Sequence, residues 1–183
     1  MKFIATPLAG VYEALTAPFV DRRGMFVRLF CADALNEAHN GRAIVQINHA
    51  LTRTVGTIRG LHYQHPPQAE AKWVRCLKGR VWDVAVDLRR GSPTFLAWHA
   101  VELDAERMNA LFIPEGCAHG FQVLEPDSEL LYLHTAPYTP KLERGARWDD
   151  PRLRIAWPLP AEDLSERDRL HPLLGADFEG IDV

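Results

Sequence analysis

The chain is poor in cysteine, in long apolar runs and in any surplus of one charge. Its three cysteines, Cys31, Cys76 and Cys117, are scattered, odd in number and without CxxC spacing, which excludes a disulfide framework or a cysteine-built zinc site. They read as reduced packing residues, and nothing beside Cys76 or Cys117 argues for the lowered thiol pKa that a nucleophile needs. No stretch approaches the roughly 20 apolar residues that cross a bilayer. The opening MKFIATPLAGVYEAL has no basic start before a long apolar core, so a cytoplasmic location is expected. A net charge of −3 supplies no general attraction to nucleic acid or to an anionic membrane. The expected partner is therefore a small molecule, for which a local basic pocket can still hold a phosphate. Repeats and low-complexity segments are missing as well. What is present, 47% hydrophobic and 25% charged residues in 183, is enough for one domain, residues 1–183, with a substantial core.

The stretch that stands out is Gly56 to Lys72, GTIRGLHYQHPPQAEAK, where cationic and imidazole groups crowd into a segment of strand type. Ile58, Leu61 and Tyr63 are strand formers, Gly56 and Gly60 permit bends, and Pro66-Pro67 ends the run, so Arg59 and His62 fall near a sheet rim. Strict alternation puts these two on opposite faces; they reach one pocket only if a bulge sits at Gly60. A strand whose charges face water explains either residue alone, but not the whole set.

Elsewhere, FVDRRGMFVRLF reads as a turn at Asp21 to Gly24 followed by a strand carrying Phe26, Arg28 and Phe30. Cys31 to Asn40 has weak helical character, and a strand from Ala43 to Asn48 puts Gln46 and Asn48 on one face. Lys72 to Leu77 and Arg80 to Leu88 read as a hairpin through Lys78-Gly79. In its second strand Asp83 and Asp87 share a face, where two carboxylates need water or partners. Further strands are expected at 95–103, 109–113, 119–124 and 130–134. A Pro-, Trp- and charge-rich tail follows, with a helical signal at Leu164 to Arg169. There Ser165 and Asp168 have capping-box spacing, which gives Asp168 a purely structural reading. Short, regularly spaced strands without long helices make this an all-β antiparallel barrel or jelly roll with short peripheral helices.

Several ordered blocks add to this reading: DRRGMF at Asp21, QIN at Gln46, GTIRGLHYQ at Gly56, AKWVRCLKGRVWDVAVDLRRGSPT at Ala71, IPEGCAHGF at Ile113, Tyr132 to Tyr138, ERGARWDDP at Glu143 and LSERD at Leu164. With them the sequence resembles the dTDP-4-dehydrorhamnose 3,5-epimerase family, sugar-nucleotide epimerases built on a cupin jelly-roll β-barrel, over nearly the whole chain. The resemblance implies proton removal beside the C4 ketone of a nucleotide-diphosphate 4-keto-6-deoxy sugar and protonation on the opposite face, with no metal and no cofactor. Histidine suits such a base because its pKa lies near neutrality. His62 matches the family's base, Asp168 its dyad partner, Tyr132 the proton donor and Lys72 the group that stabilises the enolate oxygen. Arg23 and Arg59 match diphosphate-binding positions, where a guanidinium makes bidentate contacts. Phe26 and Tyr138 match aromatic positions that pack the nucleotide, Gln46 and Asn48 offer amides, and His119 lines the pocket. The family lends its Arg23 to Phe26 strand to the neighbouring subunit, which implies a homodimer with an exchanged N-terminal strand.

Two departures mark this chain. Arg28 stands where the family usually places a glutamate against the pyrimidine, which leaves thymidine- and cytidine-linked sugars both open; Leu133 and His134 stand where Lys and Thr are common. Lys72, Tyr132 and Asp83 each have a plain reading as ordinary strand residues, although Asp83 could also bond a pocket histidine. One rival reading is a metal-dependent cupin oxygenase using His62, His65 and His119. Its first motif is broken, because the spacing is HxxH rather than HxH, with Glu70 eight residues beyond His62. A second rival is a non-catalytic binding module, against which the joint presence of His62, Lys72, Tyr132 and Asp168 speaks. Residue types do not set whether inversion falls at C3, at C5 or at both, since that depends on ångström-scale placement.

Overall fold

Strands form where β-branched and aromatic residues cluster between turn residues. In this computed structural model, which describes residues 1–35 and 41–183, they are β1 (Lys2–Ala5), β2 (Tyr12–Leu15), β3 (Phe19–Asp21), β4 (Gly24–Phe26), β5 (Gln46–Thr52), β6 (Ile58–Gln64), β7 (Lys72–Lys78), β8 (Arg80–Asp87), β9 (Trp98–Asp104), β10 (Asn109–Ile113), β11 (Cys117–Val123), β12 (Ser128–His134) and β13 (Glu143–Gly145). Two short helices, α1 (Ala32–Leu35) and α2 (Glu166–Leu170), complete the described elements. None is long and apolar enough to cross a membrane.

Antiparallel pairing gives a six-stranded sheet, β1-β2-β10-β7-β12-β5, a five-stranded sheet, β13-β6-β11-β8-β9, and a separate β3-β4 ribbon. The larger sheets face each other over a shared core: Val74, Cys76, Leu111, Ile113 and Leu130 of the first meet Val81, Ala85, Leu103, Phe121 and Val123 of the second. This is the expected jelly roll as two packed layers, and no strand pairing among the described residues joins them into a closed cylinder. The outer face of the second sheet is covered too. Leu61, Val84, Val86 and Leu88 lie beneath Ile155, Trp157, Phe178 and Ile181 of the C-terminal segment, so the tail wraps the sheet as its composition suggested. Burial on both sides explains the near-continuous apolar character of β8.

The hairpin expected through Lys78-Gly79 is not formed. β7 pairs with β10 and β12, whereas β8 pairs with β11 and β9, so the turn is a corner where the chain crosses between sheets. Alternation cannot separate the two cases, because either needs a sharp turn; Gly79 has φ +73°, and a Cβ there would run into Ser128. The strand expected to carry Phe26, Arg28 and Phe30 stops at Phe26. The strand expected from Ala43 begins at Gln46 and runs on to Thr52, and the one expected from Phe95 begins at Trp98. The helical signal from Cys31 is realised at Ala32–Leu35, and its continuation to Asn40 lies outside the described residues. Asp83 and Asp87 are fully buried rather than wet; Asp83 is met at one oxygen by His119, and Asp87 at both oxygens. Asp87 accepts from Arg89, Ser92 and Thr94, which hold its carboxyl at about 2 against the opposing effect of burial.

Candidate active site

Period-two geometry places the first sheet's polar residues on one face. Tyr132 and His134 are two apart on β12 and stack with ring centroids 5.9 Å apart. Across the ladder Tyr132 pairs with Asn48 and His134 with Gln46 on β5, and on the other side His134 pairs with Lys72 on β7. All five line a cavity of about 850 Å³.

The second sheet reaches the same cavity by breaking its own period. His62 on β6 pairs with His119 on β11, yet Arg59 pairs with Phe121. Three steps along β6 thus match two along β11. The additional residue brings Arg59 and His62 to one side, which is the irregularity the sequence required at Gly60. Gly60 has φ +127°, and a Cβ there would lie 2.5 Å from the Cα of Gly120, so only glycine fits.

The tail supplies the partner for His62. Ser165 caps α2 by accepting from the Asp168 backbone N–H at 3.1 Å, and the buried Asp168 side chain accepts from His62 Nε2 at 2.6 Å and from the Gly60 N–H at 3.4 Å. The capping contact and the His62–Asp168 pair therefore coexist in this segment. Burial raises the Asp168 carboxyl, but its bonds to His62, Ser165 and Gly60 outweigh that and hold it below the usual carboxylate range. An ionised Asp168 accepts a hydrogen bond from Nε2–H of a neutral imidazole, which leaves Nδ1 as the basic nitrogen.

A second imidazole is paired in the same way: His119 Nε2 lies 2.8 Å from Asp83 Oδ1, one of the two readings open for Asp83. Burial pushes the Asp83 carboxyl up against the pull of His119. The His119 and Tyr132 rings meet in a T-shaped contact with centroids 5.9 Å apart. Burial, aided by the charge of Asp83, drives the Tyr132 phenol well above its ordinary value. A phenol so placed keeps its proton at neutral pH and can give it to a developing carbanion. Lys72 is 5% exposed, with Nζ 2.8 Å from Glu70 Oε1. Among the described residues Arg53 and Arg59 line the cavity without a carboxylate partner. The two cations suit a diphosphate.

Nine of the residues singled out from sequence thus share one cavity: Gln46, Asn48, Arg59, His62, Lys72, His119, Tyr132, Tyr138 and Asp168. Arg23, Phe26 and Arg28 are not among its lining residues. Arg23 pairs with Asp21 at 2.6 Å on the exposed β3-β4 ribbon, Phe26 is 74% exposed, and Arg28 is exposed beyond β4. Glu143 and Arg167 were overlooked, although both stand inside blocks that flagged the family. Glu143 accepts from Tyr138 Oη and from Arg167 at 2.8 Å, and Arg167 also lies 3.2 Å from His62 Nε2. The ligands of the metal rival do not converge. The described cluster with metal-ligating spacing is His62, Asp168 and His171, within 4.8 Å of one another, and the Arg167 guanidinium already lies against it. Cys76 and Cys117 are buried, which pushes both thiols up to about 12 and leaves them as packing residues.

Two packed antiparallel sheets make this a cupin-type jelly roll, whose cavity has a carboxylate-held imidazole on one layer and a phenol and an ammonium on the other. Residues 5–176 match the family described as dTDP-4-dehydrorhamnose 3,5-epimerase. The dTDP-4-dehydrorhamnose 3,5-epimerase of Shigella flexneri is 44% identical over 170 residues, 92% of this chain and 93% of that protein. The dTDP-6-deoxy-D-glucose-3,5-epimerase of Legionella pneumophila, solved in complex with dTDP-4-keto-L-rhamnose, is similar with a TM-score of 0.89 and 37% identity over 94% of this chain and 92% of that one. A 3'-monoepimerase from Streptomyces bikiniensis in complex with dTDP-quinovose has a TM-score of 0.85 at 35% identity, covering 92% and 85%. The chain belongs to the dTDP-4-dehydrorhamnose 3,5-epimerase family, whose members are isomerases.

Proposed function

We propose that the protein epimerises a dTDP-linked 4-keto-6-deoxy sugar, dTDP-4-keto-6-deoxyglucose, at C3, C5 or both, without metal or cofactor. The reading is carried by the 2.6 Å His62–Asp168 pair on one layer of the cavity and Tyr132 on the other. His62 Nδ1 takes the proton from the carbon beside the C4 ketone. The C–H electron pair becomes the enolate π bond, charge moves to O4, and Asp168 offsets the imidazolium. Lys72 donates to O4 as it becomes an oxyanion. Tyr132 then gives its proton to the opposite face of the carbon, O4 returns to a ketone, and the phenolate and imidazolium are reset by solvent. No oxidant enters. Arg59 and Arg53 hold the diphosphate, and Tyr138, with Gln46 and Asn48, packs and bonds the nucleotide.

Arg23, Phe26 and Arg28 complete the site from a second copy in a homodimer with an exchanged N-terminal strand. Support comes from the exposed apolar ribbon, Phe19 71%, Val20 68%, Met25 57% and Phe26 74%, which a lone chain leaves in water, and from the exposed Ile47 at 62% on edge strand β5. Residues 1–183 act as one domain. The nucleotide-activated substrate makes the cytoplasm the working compartment.

The experiment is NMR of the products formed from dTDP- and CDP-linked 4-keto-6-deoxyglucose in heavy water. Inverted, deuterated carbons at C3 or C5 of the dTDP sugar are expected. Binding without inversion would leave a sugar-nucleotide module, and preference for the CDP sugar would assign Arg28 to base choice.

A further inference from the structure

Glu70 and His134 do not belong to the dyad, and no role is assigned to either above. Glu70 precedes β7, His134 ends β12, and the two meet inside the cavity. One Glu70 oxygen, Oε1, lies 2.8 Å from Lys72 Nζ, and the other, Oε2, lies 2.8 Å from His134 Nδ1. Burial opposes the charge on Glu70, yet Lys72 and His134 outweigh it and hold the carboxyl at about 2. An ionised Glu70 only accepts, so His134 Nδ1 carries a proton and donates. From that point the polarity of a longer chain is fixed. His134 Nε2 accepts from Asn48 Nδ2 at 3.3 Å, Asn48 Oδ1 accepts from Gln46 Nε2 at 3.2 Å, and Gln46 Oε1 accepts from the Tyr138 backbone N–H at 2.9 Å. Every donor along this chain meets an acceptor when His134 donates from Nδ1 and accepts at Nε2.

We propose that Glu70, held by His134, is a positioning residue that clamps Lys72 at the floor of the cavity in the orientation needed to bond the C4 oxygen. The proposal rests on the epimerase reading given above. A buried ammonium needs a counter-charge. The Glu70 carboxylate supplies it at 2.8 Å, and by holding one of the three ammonium N–H groups it aims the remaining two. The ring stack of His134 on Tyr132 ties the clamp to the proposed proton donor on the same strand.

The test is a double-mutant cycle in the deuterium-exchange assay, with dTDP affinity measured alongside. Glu70→Gln keeps size and removes charge, and His134→Phe keeps the stacked ring and removes the donor. We expect Glu70→Gln to lower kcat about 10- to 100-fold, the scale of a reacting group misplaced by an ångström, and His134→Phe to lower it less, with KM and dTDP affinity within about twofold of native. In a Lys72→Met background the Glu70→Gln effect should vanish. Nitrogen NMR of the native protein should show His134 protonated on Nδ1 and bare on Nε2. The proposal is overturned by kcat within twofold of native in both single variants, by a full-sized Glu70→Gln effect in Lys72→Met, or by the opposite His134 tautomer. If native protein turns over no 4-keto sugar, the epimerase reading has failed, and the tautomer alone then decides the clamp.

Discussion

Replacing Asp168 by asparagine tests the electrostatics of the proposed base while leaving the volume of the site intact. Asp168 is 3% exposed, and its carboxylate lies 2.6 Å from His62 Nε2. At that separation an imidazolium and a carboxylate attract by about 6 kcal/mol at an effective dielectric of 20, and their interaction with water before reaction offsets part of this. About 3–5 kcal/mol then remains to be lost from the transition state, a fall of about 10²- to 10⁴-fold in kcat. Two features of the site push toward the larger end. The Arg167 guanidinium, 3.2 Å from the same nitrogen, becomes the nearest charge and opposes the imidazolium that must form. An asparagine that turns its amide toward Nε2 also favours the wrong tautomer. Because Ser165 still caps α2 through the residue-168 backbone N–H, the tail should stay docked and dTDP affinity should change little. The assay is steady-state epimerisation with parallel dTDP titration. An Asp168→Asn protein retaining more than a tenth of native kcat would refute the dyad argument.

Tyr132→Phe removes the proposed acid but not the base; solvent deuterium should still enter the carbon beside the ketone while inversion falls by about 10²-fold or more, as read by NMR of recovered substrate and product. Gly60→Ala must move Gly120 or lose the β6 irregularity, and should cost about 2–4 kcal/mol in denaturant unfolding, with activity lost in whatever protein still folds. Against the effect of burial, the bonds from Arg89, Ser92 and Thr94 hold the Asp87 carboxyl at about 2, below its ordinary 3.8, so its stabilisation is present above about 4 and is lost as pH falls toward 2. That amounts to about 2 kcal/mol, and between pH 5 and 2 the native protein should lose that much more stability than Asp87→Asn. Phe26→Asp on the exposed ribbon should shift the protein toward monomer in sedimentation and lower activity at least tenfold; unchanged mass and rate would remove Phe26 from the proposed interface.

Much of the fold was legible because local signals agree with it. Asn109–Ile113 is apolar, bounded by turn residues and forms a strand with those bounds. The clash between Arg59 and His62 in a period-two strand pointed to the bulge that β6 contains. The Lys78-Gly79 corner was misread because a glycine at positive φ looks the same in a hairpin and between sheets, and which strands pair is a non-local matter. The site divides likewise. His62 and Asp168 are 106 residues apart, and nothing local joins them, so resemblance alone brought them together while capping explained Asp168 by itself. Glu70 and His134, separated by 64 residues, meet only through the pairing of His134 with Lys72 across β7 and β12. Sequence registered one as a broken metal motif and the other as a departure from the family.

The most direct test follows the proton. Native protein and His62→Ala, each saturated with dTDP-4-keto-6-deoxyglucose in heavy water, should differ by at least about 10²-fold in the rate at which deuterium enters the carbons flanking the ketone, with dTDP bound equally by both. Equal rates in the two proteins would contradict the account, because some other group would then be taking the proton.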